Sequence, residues 1–430
     1  MIKIKQKYRI AFVGTRFSGI DGVSLETEKW DEVLTQMGHK CFYWTGESEV
    51  NHGRIVQTVP LASFQHPVIL GLQKQYFSIN QRKPKITQQT EKIKIDLKKN
   101  LHRFIKKHRI DIIIPQNALS IPMHIPLGLA ITEFLIESGI PAISHNHDYY
   151  WERQRFSVNC VHDYLDSAFP PRFPNIQHVC INTIAQEELA YRKGISSNII
   201  PNVMPFKQNP PQEDIAITKK LRKDFGIEDN ELLILQPTRI VPRKRIEKAI
   251  GLVGIMNRFR PAKLLITHSW GDEGDAYLKK LQNLAKRDKT PMILAYEQLA
   301  TKRGKNKKGQ NTYTLEDYYL AADMMTYPSI AGEGFGNAFL EGLYYQKLIA
   351  INNYPVYEKD IKPLDFEVIE FDDEPRINHV RKALAYLEDQ KKLKKAVAYN
   401  YKLGMKHFSY QALSNKLNYL IYLCYLCIKH

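Results

Sequence analysis

Short apolar runs alternate with amphipathic, helix-spaced runs along most of this 430-residue chain, and the alternation stops once and starts again. The first series is RIAFVG, KCFYWT, DIIIPQ, PAISHN and HVCINT; the second is LLILQPT, KLLITHS, PMILAYE, ADMMTYP and LIAINN. Strands joined through helices read as parallel sheets, because a parallel pair needs a long crossover and that crossover covers the sheet. Between the two series lies IIPNVMPFKQNPPQEDIAI, rich in proline and polar residues as a linker would be. The pattern predicts an α/β chain of two doubly wound, Rossmann-like domains, divided at residues 205 and 206. The length agrees, since a chain of this size exceeds one ordinary core. Ligands bind beyond the carboxyl ends of strands in such sheets, so two domains facing each other would form a cleft from their strand-end loops.

Composition excludes more than it selects. With 43% hydrophobic and 25% charged residues and no repeat of solenoid length, the chain is ordinary and globular. The opening MIKIKQKYRIAFVG has an apolar run that stops at Gly14, which fits a strand better than a signal peptide. The late run Tyr419 to Ile428 falls far short of the roughly 20 residues of a spanning helix. Five scattered cysteines, Cys41, Cys160, Cys180, Cys424 and Cys427, do not make a disulfide framework. Cys424 and Cys427 form a CxxC without a second pair, so helix packing rather than zinc is expected and no metal is assigned. The expected compartment is reducing and cytoplasmic.

The net charge of +17 leaves nucleic acid, anionic lipid and phosphate-bearing substrates as partners. No zinc-finger, recognition-helix or RNA-binding aromatic signature accompanies it, so no nucleic acid is expected. In the basic segment Gln81 to Ile110, Ile93, Leu97, Leu101, Phe104 and Ile105 recur at helical spacing. Lys92, Lys98, Lys99, Lys106 and Lys107 should largely face away from them. A solvated face is the ordinary outcome; the other is a peripheral, salt-sensitive contact with the inner face of a membrane.

Four strand-end loops hold the candidate chemistry. AGEGFGNAFLEGL places Glu333 and Glu341 around a glycine turn that opens a helix, where close backbone approach and free N–H groups favour an anion. Carboxylates would repel a phosphate, so their expected task is accepting hydrogen bonds from sugar hydroxyls. LLILQPTRIVPRKRIEKAI sets Arg239 and Lys244 about a helix expected to begin near Lys244, a cation pair that suits a diphosphate; Arg243, Lys244 and Arg245 could equally be a basic surface loop. HNHDYYWERQRF crowds His145, His147, Asp148, Glu152 and Arg153 behind a strand. After the first strand, Gly19, Asp21 and Gly22 make a turn that is as easily structural as a ligand cradle.

These segments together resemble the retaining glycosyltransferases of the GT-B fold, family 4 type. PTRIVPRKRIEKAI is similar to the family's Arg-x4-Lys segment, and TLEDYYLAADMMTYPSIAGEGFGNAFLEGL to its helix, strand and Glu-x7-Glu turn. HDYYWER resembles a subgroup associated in part with glycosylglycerate-type solutes. The resemblance implies an acceptor-side domain over 1–205, a nucleotide-sugar domain over 206–405, and a closing helix over 406–430 that returns to the first domain.

The activity implied is transfer of a hexose from a UDP- or GDP-linked donor to a hydroxyl acceptor, small or lipid-linked, with retention and no further cofactor. In that reading Arg239 and Lys244 bind the diphosphate. Glu333 contacts the transferred sugar, Phe335, Gly336 and Asn337 offer backbone N–H groups, and Glu341 holds the ribose. His147, or else His145, lies near the reacting carbon, Gly22 belongs to the donor site, and Gly19, Asp21, His145, Asp148 and Tyr149 are the acceptor-side candidates. FSGIDGVS, which spreads the glycines of the first loop, and the insertion KRGKNKKGQN depart from the family pattern. A same-fold epimerase or phosphorylase, or an anionic-surface binder with an inactive sugar site, is the alternative.

Overall fold

The computed structural model describes residues 7–19, 22–50, 53–270, 274–330 and 332–429, with side chains through residue 426. It divides into two compact units. One comprises residues up to Val203 together with the segment from Tyr410 onward; the other runs from Met204 to Ser409. The divisions thus fall at 203/204 and 409/410, against the sequence-based 205/206 and 405/406.

The first unit is built on seven strands: β1 (Arg9–Gly14), β2 (Lys40–Thr45), β3 (Ile55–Thr58), β4 (Ile112–Pro115), β5 (Ala142–Asn146), β6 (Ile176–Cys180) and β7 (Asn198–Ile199). Their order is β3-β2-β1-β4-β5-β6-β7, and every pairing is parallel. Strands β3 and β7 were not expected. Both lie at sheet edges and are only partly buried, so neither has the continuous apolar run that marks a central parallel strand. The order reverses at β1, so β2 and β4 flank it and the chain leaves the sheet in opposite directions.

Side chains alternate between two faces. Ala11, Val13, Phe42 and Ile113 pack under the helices Pro84–His108 and Ile125–Ser138. Ile10, Phe12, Ile112, Ile114 and Ile143 pack against Trp30, Val33 and Leu34 of the helix Gly22–Gln36, and against Leu413, Leu417, Leu420 and Cys424 of the last helix, Tyr410–Lys429. Cys424 is therefore a packing residue; the Cys427 side chain lies outside the described residues. In the basic helix Pro84–His108 the expected apolar stripe is buried. Lys98 does not face away: it bridges to Glu133 and, at 2.7 Å, Glu137 of the next helix, as Lys94 does to Glu133 at 2.6 Å. Lys92, Lys99, Lys106 and Lys107 stay exposed.

The second unit begins again with β8 (Leu232–Gln236), β9 (Ala262–Ile266) and β10 (Met292–Leu294). A small antiparallel hairpin, β11 (Gly304–Lys305) and β12 (Asn311–Thr312), follows, and then β13 (Met324–Tyr327), β14 (Leu348–Asn352) and β15 (Ile369–Phe371). The six-stranded sheet is parallel, ordered β10-β9-β8-β13-β14-β15, and its reversal lies at β8. Strand β15 was missed because its three residues alternate around Glu370. The insertion KRGKNKKGQN forms the hairpin. It is tied down by Arg303 on Asp317 at 2.7 Å and Lys308 on Glu297 at 2.7 Å. No helix among the described residues is long and apolar enough to cross a membrane.

Candidate active site

The strongest charge arrangement stands where the second sheet reverses, in the loops that follow β8 and β13. After β8 the chain makes a short 3-10 turn, Pro242–Lys244, with proline at its first position; Arg245 then takes a left-handed φ of 48° and the helix Ile246–Met256 begins. That helix starts two residues later than expected, because proline and the positive φ close one turn before the next can open. Lys244 closes the turn with its side chain folded inward, only 8% exposed and 5.1 Å from the centroid of Tyr327, the last residue of β13. The loop after β13 meets it there. Ile330 N–H donates to the Arg243 carbonyl at 3.2 Å, and Glu333 accepts from Lys244 Nζ and, at 3.1 Å, from Arg243 Nη1 on one carboxylate oxygen.

Burial alone would raise the Glu333 carboxyl, but the charges of Lys244 and Arg243 outweigh it and hold the group below its ordinary value. Burial lowers Lys244, Arg243 adds to that, and Glu333 pulls against both. Arg239 is exposed beside this pair. Its charge is felt by Lys244 and by His268, which burial first and then Arg239 and Lys244 depress to about 4. Two cations therefore hold one carboxylate, and a third, Arg239, adds its charge to Lys244 and His268.

The glycine turn behaves as its residues require. Gly332 and Gly336 have φ of 87° and 108°. At Gly336 a Cβ would stand 2.7 Å from the Tyr354 hydroxyl, which donates to the Phe335 carbonyl at 2.8 Å, so both conformation and space demand glycine. Phe335 is buried against Phe408, leaving only its backbone for a ligand. Asn337 opens the helix Asn337–Tyr344, and Glu341 within it accepts a 2.6 Å hydrogen bond from the Tyr319 hydroxyl.

The first unit places its candidates at the ends of β4 and β5. His147 follows β5, and its backbone N–H donates to Asn117 Oδ1 at 3.0 Å; Asn117 Nδ2 donates to Asp148 Oδ1 at 2.9 Å, and Arg153 Nε to Asp148 Oδ2 at 2.8 Å. Asn117 adopts a φ of 55°, a conformation asparagine tolerates. His145 and Tyr149, both expected on the acceptor side, lie inside the fold. Both are fully buried: His145 lies under His147, and Tyr149 packs on Trp151 with its hydroxyl 3.1 Å from Cys180 Sγ. Strand alternation sends one inward to the sheet face, and the other fills the small core with Leu189 and Ile195. Gly19 N–H already donates to Glu49 at 2.8 Å, Gly22 opens its helix, and Asp21 lies outside the described residues. A groove of about 480 Å³ lined by Lys106, Asp111 and Pro141 opens at the opposite, amino-terminal ends of β4 and β5 and holds none of these residues.

Two residues that bond to the candidates escaped the sequence reading. Arg243 belonged to a run of three basic residues in which nothing singled it out, and Asn117 lies in the unremarked segment QNALS. The positive φ common to asparagine in strand-end turns was the available signal for the latter.

Residues 217–403, nearly all of the second unit, match the family model of glycosyl transferases group 1. The mannosylglucosylglycerate synthase of Petrotoga mobilis is 32% identical over 395 residues, covering 84% of this chain and 86% of that protein. This chain belongs to the group 1 glycosyltransferases. The synthase of the same description from Thermotoga maritima is 30% identical to this glycosyltransferase over 95% of the chain and 99% of its own length. Among solved structures, a Rickettsia africae glycosyltransferase superposes with a TM-score of 0.67 at 14% identity over 97% and 98% of the two chains. Anabaena HepE in complex with UDP and glucose gives 0.63 at 12% identity over 96% and 99%. Those likenesses establish the fold of this glycosyltransferase, two Rossmann-like sheets of the GT-B kind.

Proposed function

We propose that this glycosyltransferase moves a hexose from a UDP- or GDP-linked donor to a hydroxyl of a small glycosylated acid, with retention of configuration. The observation that carries the reading is Glu333 held by Lys244 and Arg243 where the second sheet reverses. A diphosphate entering there competes with Glu333 for both cations. The carboxylate so released accepts hydrogen bonds from the transferred sugar. As the C1–O bond stretches, negative charge grows on the departing phosphate, and Lys244, Arg243 and Arg239 stabilise it, an interaction often worth several kcal/mol in a water-poor site. Retention follows from attack on the face from which the nucleotide leaves, a phosphate oxygen taking the acceptor proton. Glu341 receives the ribose, and His147 orients the sugar. No cofactor is required in this reading, since fixed cations do the work a metal would.

The names of the two synthases support mannose as the sugar and a glucosylglycerate as the acceptor. The test is incubation of the purified protein with GDP-mannose, UDP-glucose or other nucleotide hexoses and glucosylglycerate, in chelator, with the product's anomeric configuration read by NMR. A retained α-linkage from an α-donor is expected. Sugar released or isomerised without an acceptor would replace transfer by epimerase or phosphorylase chemistry. Any membrane contact through Lys92, Lys99, Lys106 and Lys107 is peripheral, and vesicle sedimentation should lose it at physiological salt.

A further inference from the structure

Beneath His147 lies a layer of polar groups that the fold does not satisfy. Gln116 follows β4 and forms an isolated parallel bridge with His145, the penultimate residue of β5, so the two side chains stand beside each other on the sheet face covered by the helix Gly22–Gln36. Gln116 is 4% exposed and His145 not at all. Neither amide atom of Gln116 and neither ring nitrogen of His145 has a hydrogen-bond partner. The His145 ring is stacked 4.0 Å above Trp30, at 20°, and its other side meets the His147 ring at 4.3 Å.

Stacking and burial would be served as well by phenylalanine, which adds no unpaired atoms. Buried donors and acceptors are otherwise nearly always paired, and leaving them unpaired costs stability. Stability therefore does not select histidine at position 145. The surroundings also keep this imidazole neutral, since burial and then His147 depress it well below its ordinary value.

We infer that His145 is a positioning residue: a neutral imidazole, gripped between Trp30 and His147, that fixes the plane of the His147 ring for the transfer reaction. Its unpaired nitrogens, with the Gln116 amide beside them, keep the floor under His147 polar. The inference rests on the reading that His147 touches the sugar.

The experiment compares His145→Phe, His145→Asn and His147→Ala in the full chain, measuring thermal midpoint, kcat, KM for the donor and the pH profile of kcat. His145→Phe should melt several degrees higher, because two unpaired atoms are gone, while kcat falls at least tenfold with donor KM changed less than threefold and the profile displaced. His145→Asn, still polar, should recover part of kcat. A stabilised His145→Phe with wild-type kcat and profile would overturn the inference, and so would a destabilised one, which would show the imidazole to be paired. If His147→Ala turns over normally, the functional reading of His147 fails; if it is crippled while His145→Phe is not, only the positioning role fails.

Discussion

The two sheets reverse direction in the same way and treat the polar groups beyond that point differently. In the second unit Glu333 is paired with both Lys244 and Arg243, so in the proposed reading a diphosphate would exchange one ion pair for another. In the first unit Gln116 and His145 are uncharged and unmatched, while only the outer layer, His147 and Asp148, is held by Asn117. The contrast separates two ways of preparing a site. In the proposed readings one holds a carboxylate where the ligand's phosphates would go, and the other keeps a support under a single ring.

The sharpest way to break the comparison is Lys244→Ala. Removing it leaves Glu333 buried with Arg243 alone and takes a cation from the proposed diphosphate site, so kcat should fall about 10²–10³-fold, the loss typical of one electrostatic stabiliser. Steady-state kinetics decides it, with circular dichroism checking the fold. Residual activity near wild type would mean that Lys244 pairs with Glu333 for structure alone.

Acid should divide the units next. His124 and His178 in the first unit and His268 in the second are each depressed to about 4, in every case chiefly by burial. Their unfolded forms bind protons from about pH 6.5 downward while the folded forms do not. Stability supplied by the neutral forms is therefore complete above pH 6.5 and is lost as pH falls toward 4, by on the order of 1–3 kcal/mol per histidine. Two such groups, with His145 beside them, should make the first unit the more acid-sensitive. Trp30, Trp44 and Trp151 report on it and Trp270 on the other, so single-tryptophan variants can follow each during an acid titration.

Asn117→Ala should matter less, about tenfold in kcat, since it frees the backbone at His147 without removing a reacting group. A matching fall on Asp148→Asn would tie the two to one network. The smallest effect is expected for Tyr319→Phe: Glu341 loses a hydrogen bond, and donor KM should rise a few-fold with kcat unchanged.

Much of the fold was legible because parallel strands buried on both faces must be continuously apolar, as β1, β4, β8 and β14 are. The edges were not, since β3 and β7 are short and half wet and β15 has only three residues. In the second unit the two loops were legible through spacing: Gly332 and Gly336 take the positive φ their turn requires, and the two segments expected to hold a ligand meet at Glu333 and Lys244. The partner Arg243 was hidden among equals, because direction in a 3-10 turn is not written in residue type. In the first unit the residues were visible but their depth was not; which of two histidines separated by one residue faces outward depends on the frame of the strand.

The helix Tyr410–Lys429 belongs to the first unit, although the whole of the second unit precedes it in the chain. At the crossing, Met204 N–H donates to the Phe408 carbonyl at 2.9 Å, so the second unit leaves and returns through neighbouring residues. On the ribosome the first seven strands therefore emerge with one flank of their sheet uncovered, where Ile10, Ile112 and Ile143 await Leu413, Leu417 and Leu420. During that wait the second unit already has all of its residues, and the first does not. A nascent chain stalled before residue 410 would be half finished in an unusual sense, with its later half entire and its earlier half still a client for chaperones.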